Sequence, residues 1–152
     1  MRPLAALFFL LVATQAQSQS FTGRCIGGNA WTGGAGFASY GNCDAPDEDA
    51  LLVLTCRRGA TELSIMLPVA VGDGAPIGAT LFVGDGSYHV TGTAEFQGLS
   101  GEIVLTRAPV RFDLVEALAS SRDGSVENQT GSFPFHLTDS RGAIETMRST
   151  CR

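Results

Sequence analysis

Along most of this chain the apolar positions fall at every second residue or in short continuous runs, the spacing of strands rather than helices. Leu51–Arg57 (LLVLTCR) is one such run, and Glu62–Val69 (ELSIMLPV) resumes after a turn at Arg58–Thr61. Ala79–Phe96 reads as two strands about an Asp-Gly turn, and Gly101–Thr106 alternates again. Val-Gly-Asp-Gly occurs twice, at Val71–Gly74 and Val83–Gly86. Both copies lie between β-prone runs, where glycine supplies the positive φ that a tight turn needs. A calcium-binding repeat would require tandem nine-residue units, and a phosphate loop would require a lysine. The sequence has neither. A third turn signal is Arg122–Ser125 (RDGS).

The period changes after residue 107. Leu114, Val115 and Leu118 recur at helical spacing, and Asp113 with Glu116 fits a capping box. Two strands, Ser125–Gln129 and Ser132–Thr138, are expected to join near Thr130–Gly131. Asp139 or Ser140 then caps a final helix whose Ala143, Ile144 and Met147 face inward. The predicted architecture is mainly β: a single antiparallel sheet or sandwich with one or two short helices near the C-terminus. Cys25–Cys43 holds six glycines in nineteen residues and reads as an irregular loop.

The N-terminus bears on location. One positive charge at Arg2, an apolar run over Leu4–Ala13 and a small-residue pair at Ala16 and Ser18 follow the order of a secretory signal peptide. The expected boundary is residues 1–18, with cleavage after Ala16 or Ser20 as alternatives, and residues 19–152 form one exported β-rich domain. The apolar run is too short to cross a bilayer, and no later stretch is long enough, so membrane insertion is not expected. The four cysteines, Cys25, Cys43, Cys56 and Cys151, are an even set in an exported chain and read as two disulfides. Three pairings are open. Cys25–Cys43 with Cys56–Cys151 is favoured, because the second bridge ties the C-terminal segment to a core strand. The localisation expected is periplasmic or secreted.

All ten basic residues are arginines, against fifteen acids, for a net charge of −5. An acidic chain without a basic cluster argues against nucleic-acid partners. Candidate chemistry is sparse. His89 and His136 lie in predicted strands at positions that alternation turns toward solvent. No nucleophile elbow or metal-ligand spacing occurs, Ser100 in GLSGE falls in a turn, and carboxylate pairs among fifteen acids carry no weight by themselves. No catalytic residue, metal or cofactor is therefore expected. Trp31, Phe37 and Tyr40 in the glycine-rich segment are the candidate partner-binding aromatics, with a lid over one end of the sheet as the alternative. Asp47, Glu48 and Asp49 form the candidate acidic contact, or a solvated loop. Asn128–Thr130 matches an N-glycosylation sequon.

SIMLPVAV, a following LFVGDGS, and the closing FPFHLTDSRGAIETMRSTC together resemble small periplasmic proteins of the invasion-associated locus B type from alphaproteobacteria. The similar portion is Leu63–Cys151. This chain departs from that pattern in lacking a mid-chain cysteine pair and in its glycine-rich N-terminal segment. The resemblance implies a β-rich periplasmic fold and a role at the cell envelope or host interface, and it carries over no catalytic residue. The function expected is a non-enzymatic binding module that docks a protein partner at the bacterial envelope, as inhibitor, immunity factor or accessory subunit. A secreted host-interaction factor and a hydrolase with an unconventional site are the alternatives.

Overall fold

The computed structural model describes residues 20–45, 50–67, 71–97 and 102–151. The expected signal peptide and the Asp47–Asp49 acidic run lie outside them. In chain order the elements are β1 (Phe21–Thr22), β2 (Asn29–Gly34), β3 (Phe37–Asn42), β4 (Ala50–Arg57), β5 (Ala60–Leu67), β6 (Pro76–Val83), β7 (Gly86–Gln97), β8 (Glu102–Pro109), α1 (Phe112–Ser120), β9 (Asp123–Asn128), β10 (Gly131–His136) and α2 (Ser140–Thr150). All the strands join one antiparallel sheet in the order β1-β2-β3-β4-β5-β8-β7-β6-β9-β10. The mainly β fold with two short helices is as the periodicity predicts.

Both disulfides form as expected. Cys25 pairs with Cys43 and Cys56 with Cys151, at Cα separations of 5.8 and 5.5 Å. Two disulfides suit an oxidising compartment. No helix among the described residues is long and apolar enough to cross a membrane.

The turns follow local chemistry. Arg58 and Gly59 both take positive φ (51° and 78°), which a two-residue hairpin between β4 and β5 demands. Between β6 and β7 the corner residues are Gly84 and Asp85, and the positive φ falls on Gly84 (56°). In the first Val-Gly-Asp-Gly copy, Ala75 N–H donates to the Gly72 carbonyl (3.1 Å), closing a turn that leads into β6.

The N-terminal glycine-rich segment is not an irregular loop. It is the β2–β3 hairpin, paired from Asn29↔Asn42 to Gly34↔Phe37 and continued into β4. Its glycines serve packing: a Cβ on Gly33 would sit 2.6 Å from the Ala143 carbonyl oxygen, so glycine lets α2 lie directly on the strand. Trp31 and Tyr40 face each other across this hairpin and are buried, at 0 % and 3 % exposure. They are core residues, neither a lid nor an available docking surface.

Three further expectations are corrected. RDGS is not a turn: β9 begins at Asp123, and Gly124 is needed because the Phe135 ring lies where a Cβ would project (2.5 Å). The capping box does not form either. Helix α1 starts at Phe112 behind Arg111 with no side-chain cap, and Asp113 accepts instead from the N–H of Leu114 (3.0 Å). Asp139 precedes α2 with φ 68° but is drawn away from the helix by Arg24, while Ser140 Oγ donates to the Leu118 (2.7 Å) and Leu137 (2.8 Å) carbonyls.

The core lies between the inner sheet face and the helices. Leu52, Leu54, Leu63, Ile65, Leu81 and Leu105 come from the sheet, Leu114 and Leu118 from α1, and Ala143, Ile144 and Met147 from α2. The inward set of α2 is the predicted one. Ile144 and Met147, both fully buried, together contribute about 3–6 kcal/mol relative to exposure. Arg148 on α2 pairs with Glu116 on α1 (2.6 Å) and lies over the Phe112 ring (5.2 Å).

The sheet curls until its last strand meets its second. Trp31 Nε1 donates to the His136 carbonyl (2.8 Å), and His136 Nε2 donates to the Asn29 carbonyl (3.1 Å). Alongside, the Arg24 N–H (2.9 Å) and Nε (3.1 Å) both donate to Asp139. This seam covers the end of β10. In the middle of that strand, Pro134 occupies a position whose backbone points away from β9, so the outer edge lacks a donor there.

Candidate functional site

Of the sequence-derived candidate side chains among the described residues, one stands in the open. Trp31 and Tyr40 are enclosed with Phe135 and His136, at ring separations of 5.6 Å (Trp31–Tyr40), 6.0 Å (Tyr40–Phe135) and 5.0 Å (Tyr40–His136). Burial pushes the Tyr40 phenol up, opposed by a backbone hydrogen bond at His136. Phe37 is half-buried at the start of β3 with its ring against Gly34. His136 is not on a solvated strand face. It is half-buried in the seam, where its Nε2 bond fixes the tautomer and its Nδ1 is buried without a hydrogen-bond partner among the described residues. Asn128 of the sequon braces its own hairpin turn: its side-chain oxygen accepts from Thr130 N–H (2.8 Å), Thr130 Oγ1 (2.8 Å) and Gly131 N–H (3.0 Å).

His89 is the exposed exception. It stands on the outer face of β7, opposite Thr80 on β6, whose hydroxyl lies 3.4 Å from Nδ1. Thr80 in turn faces Glu127 on β9, so histidine, threonine and glutamate form a row across three strands. No hydrogen bond or ion pair joins His89 to a carboxylate among the described residues. No cluster of three or more histidine, cysteine or acidic side chains there could hold a metal.

Two clefts flank His89. The larger, about 600 Å³, opens between β6 and the tip of the β9–β10 hairpin and includes Gly78, Thr80, Thr91, Glu127 and Gln129. It exists because β6 outruns its partner: β6–β9 pairing stops at Thr80↔Glu127, leaving Pro76–Ala79 beyond the hairpin. The smaller, about 300 Å³, lies between β7 and the β8–α1 junction at Pro109, Val110, Arg111, Asp113 and Leu114. It exists because β7–β8 pairing begins only at Thr93↔Thr106. At Arg107, with φ 57°, β8 breaks away and its last residues pair with Glu62 and Leu63 of β5.

Sequence reasoning found His89 but not its neighbours Ser87 and Thr91, which share its face. Their only signal is the alternation in Ser87–Thr91 (SYHVT), and nothing in that pattern tells a paired strand from an unpaired one. No protein-family model, curated protein or solved structure matches this chain.

Proposed function

We propose that this chain is an exported binding module that docks a protein partner at the bacterial cell envelope through the outer face of the β6–β7 hairpin. One observation carries the reading: His89 stands exposed on the β6–β7 hairpin between two open clefts, with Thr80, Thr91 and Glu127 around it. Exposed polar groups held by a sheet and backed by concave surface suit recognition of another chain. The two disulfides and the resemblance to envelope-associated periplasmic proteins support the compartment. The docking face is thereby moved from the Trp31–Tyr40 hairpin, which is core, to β6 and β7.

Site-specific photo-crosslinking in cells at native expression tests this. A photoreactive residue at Thr91 is expected to capture one envelope protein stoichiometrically, while the same group at exposed Glu62 on β5 captures nothing above background. Equal capture at both positions, or none from folded and exported protein, would overturn the proposal.

A further inference from the structure

The proposed docking face contains an unfinished sheet edge. Backbone groups on an antiparallel strand alternate between its two neighbours. On β7 the even positions face β6: Ala94 N–H donates to the Ala75 carbonyl (2.8 Å), and the continuous register from Pro76↔Thr93 to Val83↔Gly86 carries that phase along the hairpin. Ser87, His89 and Thr91 therefore point their N–H and C=O groups the other way, toward β8. But β8 offers no register partner there, since its pairing with β7 starts at Thr93. None of these three residues has a register partner on β8, and all three are exposed.

The rest of the molecule manages its edges differently. At one end β1 pairs with Thr32 and Gly33 of β2, and the Trp31 carbonyl accepts from Gly23 N–H (2.7 Å). At the other end β10 has Pro134 and the seam. Against that background, the part of β7 from Ser87 to Thr91, in the middle of the sheet and outside the β8 register, forms a template for strand addition.

We infer that the cleft between β7 and the β8–α1 junction receives an extended peptide segment of the partner, which pairs as an added strand with Ser87–Thr91; this rests on the proposed docking role. The cleft is closed at one end by the Thr93↔Thr106 pairing and runs along Ser87–Val90. At about 300 Å³ it admits a few residues of one strand, whereas a second copy of this chain would bring β6 and the rest of its sheet against α1. The wall dictates the pattern of the guest. Side chains on its inner face meet Tyr88, Val90, Val110 and Leu114, and those on the outer face stand beside Ser87, His89 and Thr91 in solvent. Apolar residues are required at every second position. The polar positions are expected to be cationic, because the chain carries a net charge of −5 and Arg111 at the cleft is already paired with Asp113 (3.2 Å).

Amide hydrogen exchange by NMR, with a short blocked peptide of alternating arginine and valine as the probe, tests the inference. In the free protein the Ser87, His89 and Thr91 amides should exchange fast while Tyr88 and Val90, bonded to β6, are protected. At a peptide concentration ten times its Kd, exchange at the three open amides should slow about tenfold. Methylating the peptide's backbone nitrogens at alternate positions should abolish binding, and replacing its arginines with glutamates should weaken it. His89→Pro, which removes a single outward donor, should also block the peptide; the methylated peptides make the same test on the unaltered protein. Protection elsewhere, no protection with peptide at millimolar concentration, or indifference to methylation would overturn strand addition. Protection that rises with protein concentration alone would assign the edge to a second copy and overturn the peptide as occupant. Crosslinking at Thr91 without peptide protection would leave the docking role standing and remove its strand-addition mechanism, and protection without any cellular partner would do the reverse.

Discussion

Trp31 offers the sharpest test of the core. It is the only tryptophan, is fully buried, has its ring 5.6 Å from that of Tyr40 in a tilted arrangement, and donates Nε1–H to the His136 carbonyl across the seam. Truncation to alanine removes the largest side chain in the N-terminal hairpin, and such changes cost about 3–5 kcal/mol in transfer and cavity energy. The His136 carbonyl also loses its donor, which adds about 1–3 kcal/mol where water cannot replace it. Against a typical total of roughly 5–15 kcal/mol, Trp31→Ala leaves the fold marginal. Trp31→Phe separates the two contributions: it keeps most of the ring volume and loses the hydrogen bond, so a cost of about 2 kcal/mol is expected. Urea denaturation of the oxidised proteins, followed by far-ultraviolet circular dichroism because both variants lack the fluorophore, gives the two differences. Native Trp31 emission should also be blue-shifted and poorly quenched by iodide. A cost below about 1 kcal/mol for Trp31→Ala would refute the reasoning, since no buried tryptophan can be removed so cheaply.

Asp139 is held below the usual carboxylate range, first by the Arg24 N–H and then by the Arg24 side chain. A carboxylate depressed in the folded state contributes stability that is fully present above its unfolded pKa, about 3.9, and lost as pH falls through the folded value. The urea midpoint should thus fall more steeply below pH 4 in the native protein than in Asp139→Asn. The Cys56–Cys151 bridge spans 95 residues and Cys25–Cys43 spans 18. Removing the first with paired serines should cost about 4.5 kcal/mol and removing the second about 3 kcal/mol on the chain-entropy account, and urea denaturation should reproduce that order. Gly33→Ala forces a methyl against the α2 backbone at Ala143 and should cost about 1–3 kcal/mol, visible as a lower thermal midpoint without loss of secondary structure.

What the chain alone determined is local or covalent. The continuous apolar run of Leu51–Arg57 and the alternation through Ala79–Phe96 specify strands, because a period of two places one face inward whatever the neighbours are. Ala143, Ile144 and Met147 specify the buried face of α2 by the period of a helix. The favoured cysteine pairing was legible because the strand pattern placed Cys56 on a core strand to which Cys151 could tie the C-terminal segment. Only the tertiary structure decided the rest. Gly33 and Gly34 look like loop formers in isolation, since glycine has poor strand propensity, but α2 lies so close that a larger residue at 33 would collide with it. Gly124 reads as a turn until the Phe135 ring is seen to occupy its missing side chain's place. Alternation sends His136 to solvent, yet sheet closure folds that edge onto Asn29 and Tyr40. The open edge at Ser87, His89 and Thr91 is the least legible of all. It depends on a break in β8 at Arg107, and whether a strand finds a partner is a property of the neighbouring chain, which its own sequence does not encode.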